Sequence, residues 1–109
     1  MFALKFLFPP QVLELNGNNL EELPSSFTLM SALEVLCVES NELVCIPSSF
    51  HFPHLTKFMA RDNHLTVLPE FLNNCKELEI LDLRDNPLHS EDLGSLATLL
   101  PKLRVLLWK

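Results

Sequence analysis

The sequence predicts an α/β solenoid: a curved stack of strand-plus-return units, with a parallel β-sheet on the concave face and short returns on the convex face. Three observations carry this prediction. An Asn recurs at 18, 41, 63 and 86, so successive copies lie 23, 22 and 23 residues apart. Pro24, Pro47 and Pro69 each follow their Asn by six. Ahead of every Asn runs a Leu-rich alternation, and the four segments beginning at 12, 33, 55 and 78 superimpose without gaps over their first halves. A repeat of this length marks an architecture in which each unit buries its apolar side against the next.

Taken in order, residues 1–9 fit an apolar cap or the tail of a preceding repeat, with Leu7 in the inward column. The units then run over about 10–32, 33–54, 55–77 and 78–102, followed by a partial fifth strand at 103–109, all in one domain. The pairs Leu13/Leu15, Leu36/Val38, Phe58/Ala60 and Leu81/Leu83 alternate with other residues, which is the period-two signature of a strand with one buried face. Leu33, Leu55, Leu78 and Leu103 open the later strands, and Pro10 takes that place in the first, as suits an edge strand. Leu20, Leu43, Leu65 and Leu88, then Leu23, Ile46 and Leu68, continue the core as the chain turns away.

Asn18, Asn41, Asn63 and Asn86 are expected to form a structural ladder. Backbone N–H and C=O groups at the strand exits would otherwise be buried without partners, and an amide side chain offers both a donor and an acceptor. On the returns, Phe27, Phe50 and Leu72 follow the Pro, and Met30, Phe52, Cys75 and Leu100 form a further inward column. The first three returns, short and Pro-containing, suit extended or 3₁₀ structure. The fourth is expected to be an α-helix, with Ser90 as N-cap, Glu91 and Asp92 in the first turn, Leu93, Leu96, Ala97 and Leu100 at helical spacing, and Pro101 as its stop.

Together these residues form the pattern LxxLxLxxNxLxxLP, which resembles the leucine-rich-repeat family over essentially the whole chain. The resemblance implies a protein-interaction function of the kind found in scaffolds, signalling regulators and ligase-recognition subunits. It does not fix which, because a fold does not determine a function.

The sequence offers little to catalysis. With two glycines it has no phosphate-cradling loop and no nucleophile elbow. His51 and His54 form an HxxH without an acidic or thiol ligand nearby, His64 and His89 read as surface residues, and neither a metal nor a cofactor is expected. The formal charge of −6 argues against nucleic acid. No apolar run reaches the roughly 18 residues of a membrane span, and the opening MFALKFLF lacks a small-residue cleavage site. Cys37, Cys45 and Cys75 are read as free thiols in a reducing compartment, which implies a cytoplasmic chain. Cys37, outward on the sheet, is expected to be the most reactive of the three, and Cys75 the least.

What remains is the concave face, where the outward residues of successive strands stack in columns. The first reads Val12, Val35, Lys57, Ile80, Val105; the second Glu14, Cys37, Met59, Asp82, Leu107; the third Asn16, Glu39, Arg61, Arg84, Lys109, with Gly17, Ser40, Asp62 and Asp85 just beyond. Val35, Cys37, Met59, Ile80, Val105 and Leu107 make a broken apolar patch, flanked by Lys57 and Glu39 and by a basic stripe of Arg61, Arg84 and Lys109. The expected partner is a protein segment with hydrophobic and acidic residues, and substitutions at 59, 61, 80 and 84 are expected to spare the fold. The plainer reading is that β-branched residues suit strands and that Asp62 and Asp85 neutralise the arginines. The sheet offers only a few hundred Å² on the usual strand spacings, against about 800 Å² per partner in a standard interface, so binding is either weak or extended by loops and further repeats. A chain ending at Lys109 inside a strand is expected to be part of a longer solenoid, or to have its open edge covered by a partner or by end-to-end self-association. Two rivals stand beside the binding module: the recognition part of a larger enzyme or ligase, and a structural spacer.

Overall fold

The computed structural model describes residues 11–108; the expectations for Leu7, Pro10, Lys109 and the 1–9 segment lie outside them. Five strands, β1 (Val12–Glu14), β2 (Val35–Cys37), β3 (Lys57–Met59), β4 (Ile80–Asp82) and β5 (Val105–Leu107), pair in sequence order into one parallel sheet. The register is one repeat per strand, as in Leu13↔Leu36, Leu36↔Phe58, Phe58↔Leu81 and Leu81↔Leu106. Backbone bonds carry the ladder past the three-residue strands, for example Val38 N–H to Met59 O at 2.9 Å and Ala60 N–H to Asp82 O at 2.8 Å.

The chain leaves each of the first four strands through a residue in the left-handed region. Gly17, Ser40, Asp62 and Asp85 have φ of 69°, 56°, 60° and 57°, each immediately before a ladder Asn. Gly, Asp and Ser are small residues, and Gly and Asp in particular bear this conformation at low cost.

The Asn ladder then meets the stranded backbone groups. Asn63 Nδ2 donates to Val38 O (3.0 Å) and Ala60 O (3.1 Å), and its Oδ1 accepts from Leu43 N–H at 3.1 Å. Asn41 repeats this with Leu15 O and Val38 O, and accepts from Leu20 N–H at 3.0 Å. Asn86 joins Ala60 O to Leu65 N–H in the same way. Asn41 and Asn63 are buried, Asn86 is half-buried, and Asn18 is exposed while still bonding Leu15 O at 2.8 Å. The inward rung is therefore confined to the three later copies.

Behind the sheet lies one continuous core, in which Leu33, Leu36, Leu55, Phe58, Leu78 and Leu81 are fully covered. Phe71, which the repeat pattern did not assign, is fully buried and sets its ring edge-on to Phe52 at 5.5 Å and to Phe58 at 5.1 Å. It joins the third return to the strand layer. The inward column Met30, Phe52, Cys75, Leu100 is buried throughout. Leu68 and Leu103 are only partly buried, and Leu106, in the core column of the edge strand, is 37% exposed.

On the convex side, Pro24 and Pro69 start 3₁₀ turns at Ser25–Leu29 and Glu70–Asn74, closed by Phe27 N–H to Pro24 O (3.0 Å) and Leu72 N–H to Pro69 O (3.1 Å). The second return bends at Pro47 without a 3₁₀ helix. The terminal α-helix is present but much shorter than the sequence pattern suggested. The return opens as a 3₁₀ turn, Ser90–Leu93, and only Leu96–Leu99 is α-helical, here α1. His89, not Ser90, is the N-cap, with its N–H held by Asp92 Oδ2 at 3.2 Å. Asp92 and Gly94 bond three residues back, to His89 O and Glu91 O, which tightens the first turn. Gly94 adds no helix propensity there, so the four-residue bonds begin only at Leu99 and Leu100. Leu96 and Leu100 still reach the core, whereas Ala97 faces solvent.

Candidate functional site: the concave face

The sheet brings the outward residues together as the spacing predicted. Val12, Val35, Lys57, Ile80 and Val105 stand in one cross-strand row, and Glu14, Cys37, Met59, Asp82 and Leu107 in the next. Val35, Cys37, Met59, Ile80, Val105 and Leu107 are all half-buried, so the apolar patch is still reached by water, with Lys57 interrupting the first row and Asp82 the second. Lys57 and Arg61 are exposed, and Glu39 and Arg84 are half-buried. Val12, at the edge of the patch, is 54% exposed.

Asp82 departs from expectation. It sits in the outward row, yet its side chain is 0% exposed, and it is not available as a contact residue. Arg84 folds back along its own strand and covers it, with Nε to Oδ1 at 2.9 Å and Nη2 to Oδ2 at 2.7 Å. The Arg84 N–H adds a third bond to Oδ1 at 3.2 Å. Burial by itself raises the Asp82 carboxyl, but the Arg84 bonds and the charges of Arg84 and Arg61 outweigh it and hold the pKa below its ordinary value. The same pairing raises Arg84. Arg84 is thus a cover for a buried carboxylate, and changing it cannot be expected to spare the fold.

The two arginines of the basic stripe are paired in place. Arg61 Nε pairs with Asp85 Oδ2 at 2.9 Å across adjacent repeats, both side chains about half exposed. Asp85 thus takes Arg61 as the plainer reading had it, whereas Arg84 is taken by Asp82, which that reading had not considered. Neither spacing nor residue type ranks the neighbouring carboxylates as partners, so sequence alone gave no signal for this. Beside the pair, Asn16, Glu39, Ser40, Arg61, Asp62 and Asp85 line a shallow depression at the strand exits. Asn16 helps shape it by accepting Glu39 N–H on Oδ1 at 2.7 Å.

The cysteines also sort differently. Cys45 is exposed, Cys37 is half-buried and Cys75 is buried. Burial, then the charges of Glu14 and Glu39, push the Cys37 thiol up. Burial takes Cys75 up to about 12. Cys45, on the second return, is therefore the accessible thiol. His51 and His54 are both exposed on the second return, and among the described residues no three His, Cys, Asp or Glu side chains group as metal ligands would.

The sequence model described as Leucine Rich Repeat matches residues 10–30 and 77–99. No curated protein sequence matches the chain significantly. Among solved structures, the chain is similar to a leucine-rich-repeat protein of Leptospira interrogans, with a TM-score of 0.78 and 30% identity over 87% of this chain and 24% of that one. It also shares its fold with an internalin of Listeria monocytogenes, with a TM-score of 0.64 and 23% identity over 81% of this chain and 26% of that one. The chain spans about a quarter of the length of either protein.

Proposed function

We propose that this chain, a leucine-rich-repeat protein by its repeats and its fold, is a non-catalytic protein-interaction module that takes its partner on the concave sheet. The observation that carries the reading is the apolar row on the solvent side: Cys37, Met59 and Leu107 in one column and Val35, Ile80 and Val105 in the other, aligned by the register and all half-exposed. Apolar side chains clustered on the solvent side of a sheet mark an interaction site.

Affinity capture from cell lysate tests it. The double variant Met59→Glu/Ile80→Glu should lose the partner while keeping the wild-type unfolding temperature within a few degrees, since both positions are half-exposed. Leu81→Glu, between them in register and fully buried, should unfold the chain. A double variant that keeps its partner at full affinity sinks the concave-face reading.

The supporting context is intracellular, given that Cys37, Cys45 and Cys75 are free thiols. Proteins rather than nucleic acid are the partners that suit a charge of −6. No helix among the described residues is long and apolar enough to cross a membrane, and none is proposed to engage one. A second reading is the recognition portion of a larger enzyme or ligase. It draws on the chain's matching only a quarter of the proteins it resembles, and the full open reading frame would decide it. The 37% exposure of Leu106 makes the outer side of β5 the place where a further repeat, a partner or a second copy would pack.

A further inference from the structure

We propose that the segment bound on the concave face is apolar and basic, with its cationic side chain at the strand-exit rim between Glu39 and Asp62. The proposal rests on the concave-face reading and specifies the chemistry of its partner, reversing the acidic partner that the arginines suggested. Both concave arginines already have carboxylates: Arg61 holds Asp85 at 2.9 Å, and Arg84 closes on Asp82 at 2.7 Å. Their charge is cancelled where it stands. Of the remaining described charges on this face, Glu14, Glu39 and Asp62 are in no salt bridge, against Lys57 alone among the cations.

Glu39 and Asp62 converge on the shallow depression at the rim, which Ser40 and the Arg61–Asp85 pair also line. A concave surface lined by one dominant sign concentrates its field and draws the opposite charge. An incoming carboxylate would meet Glu39 and Asp62 and would find the arginines already facing Asp85 and Asp82, and like-charge contact at an interface is costly. A second copy of this chain fits poorly for the same reason, at −6.

The apolar floor adjoins this rim. Cys37 and Met59 are cross-strand neighbours, and Glu39 and Arg61 lie two residues further along the same strands. Two residues of extended chain span roughly 7 Å. An apolar side chain seated on Met59 therefore places a basic residue of the same extended segment, next but one, over the depression.

A random peptide library displayed on phage, selected against the intact chain near physiological salt, supplies the probe. Enriched peptides are then synthesised and titrated by fluorescence anisotropy against the wild type and three variants. Glu39→Gln/Asp62→Asn removes the rim charge and keeps at 62 a residue suited to φ of 60°. Glu21→Gln/Glu22→Gln removes the same charge from an exposed turn away from the sheet. Met59→Ser removes the apolar floor. Enriched peptides should carry Lys or Arg two residues from an apolar side chain. The rim variant should weaken them roughly three- to tenfold, the turn variant less than about twofold, and Met59→Ser about tenfold or more.

Acidic enriched peptides, or equal losses from the rim and turn variants, overturn the proposal. Peptides that depend on Met59 but ignore the rim variant overturn it while leaving the concave face standing. Peptides indifferent to both, or no enrichment beyond that on the Met59→Ser chain, take the concave-face reading down as well.

Discussion

Replacing Arg84 by Ala should destabilise the chain by about 2–4 kcal/mol at neutral pH, although Arg84 lies on the solvent side of the sheet. The guanidinium makes the 2.9 Å and 2.7 Å bonds that cover Asp82, and truncation leaves the carboxylate only the Arg84 backbone N–H at 3.2 Å. Breaking a buried pair by removing one partner costs about 3–5 kcal/mol, because the other charge stays behind. Arg84 is 32% exposed and Asp82 0%, so truncation also admits some water, which lowers the figure. Arg61→Ala is the control: its pair with Asp85 has exposures of 48% and 58%, and should be worth no more than about 1 kcal/mol.

The measurement is urea unfolding of both variants at pH 7, repeated toward acid. In the wild type the Asp82 carboxyl lies below its ordinary value. The stabilisation is therefore complete above the unfolded value of about 3.9 and fades only as pH falls through the folded one. In Arg84→Ala burial remains without its compensation, so the carboxyl rises, and the penalty present at neutral pH is relieved on protonation. The gap between variant and wild type should narrow from pH 7 to about pH 4. Since Met59 and Leu107 flank position 82, the joint change Asp82→Leu/Arg84→Leu should recover most of the loss. A cost no larger than that of Arg61→Ala, or one that does not change with pH, would refute the reasoning.

Two further outcomes follow from the ladder and the thiols. Asn41→Ala and Asn63→Ala should each lower stability by about 1–3 kcal/mol by stranding buried backbone groups, and Asn18→Ala, exposed in the structure, by less than about 1 kcal/mol; equal urea midpoints for all three would contradict this. Under mild alkylation followed by mass spectrometry, Cys45 should be modified first, Cys37 more slowly, and Cys75, with its pKa pushed up to about 12, only after unfolding; early labelling of Cys75 would contradict its burial.

Much of the candidate site was legible because a solenoid converts sequence spacing directly into position. Once Asn18, Asn41, Asn63 and Asn86 set the phase, the rows Val35–Lys57–Ile80 and Cys37–Met59–Asp82 follow without knowledge of any side-chain contact. Phe71 escaped because it is one residue out of phase with Phe27 and Phe50, and its burial depends on a gap between Phe52 and Phe58. The left-handed exits had a readable signal in the small and polar residues Gly17, Ser40, Asp62 and Asp85, all at one repeat position.

By itself the sequence determined the repeat length, the parallel sheet, the side of the sheet on which each strand residue stands, and the inward columns. Those follow from a period of two within the strand and a recurring Asn between strands. Only the tertiary structure decided what each outward residue is worth. Arg84 feels the charges of Asp82, Asp85 and Glu39, and spacing does not choose among them; in the fold its guanidinium closes on Asp82, which stands in register between Met59 and Leu107 and is fully covered. Likewise Asn18 and Asn41 occupy the same repeat position, but only Asn41 is buried among its neighbours. Direction along a strand is local, whereas cover depends on the side chains that neighbouring repeats bring alongside.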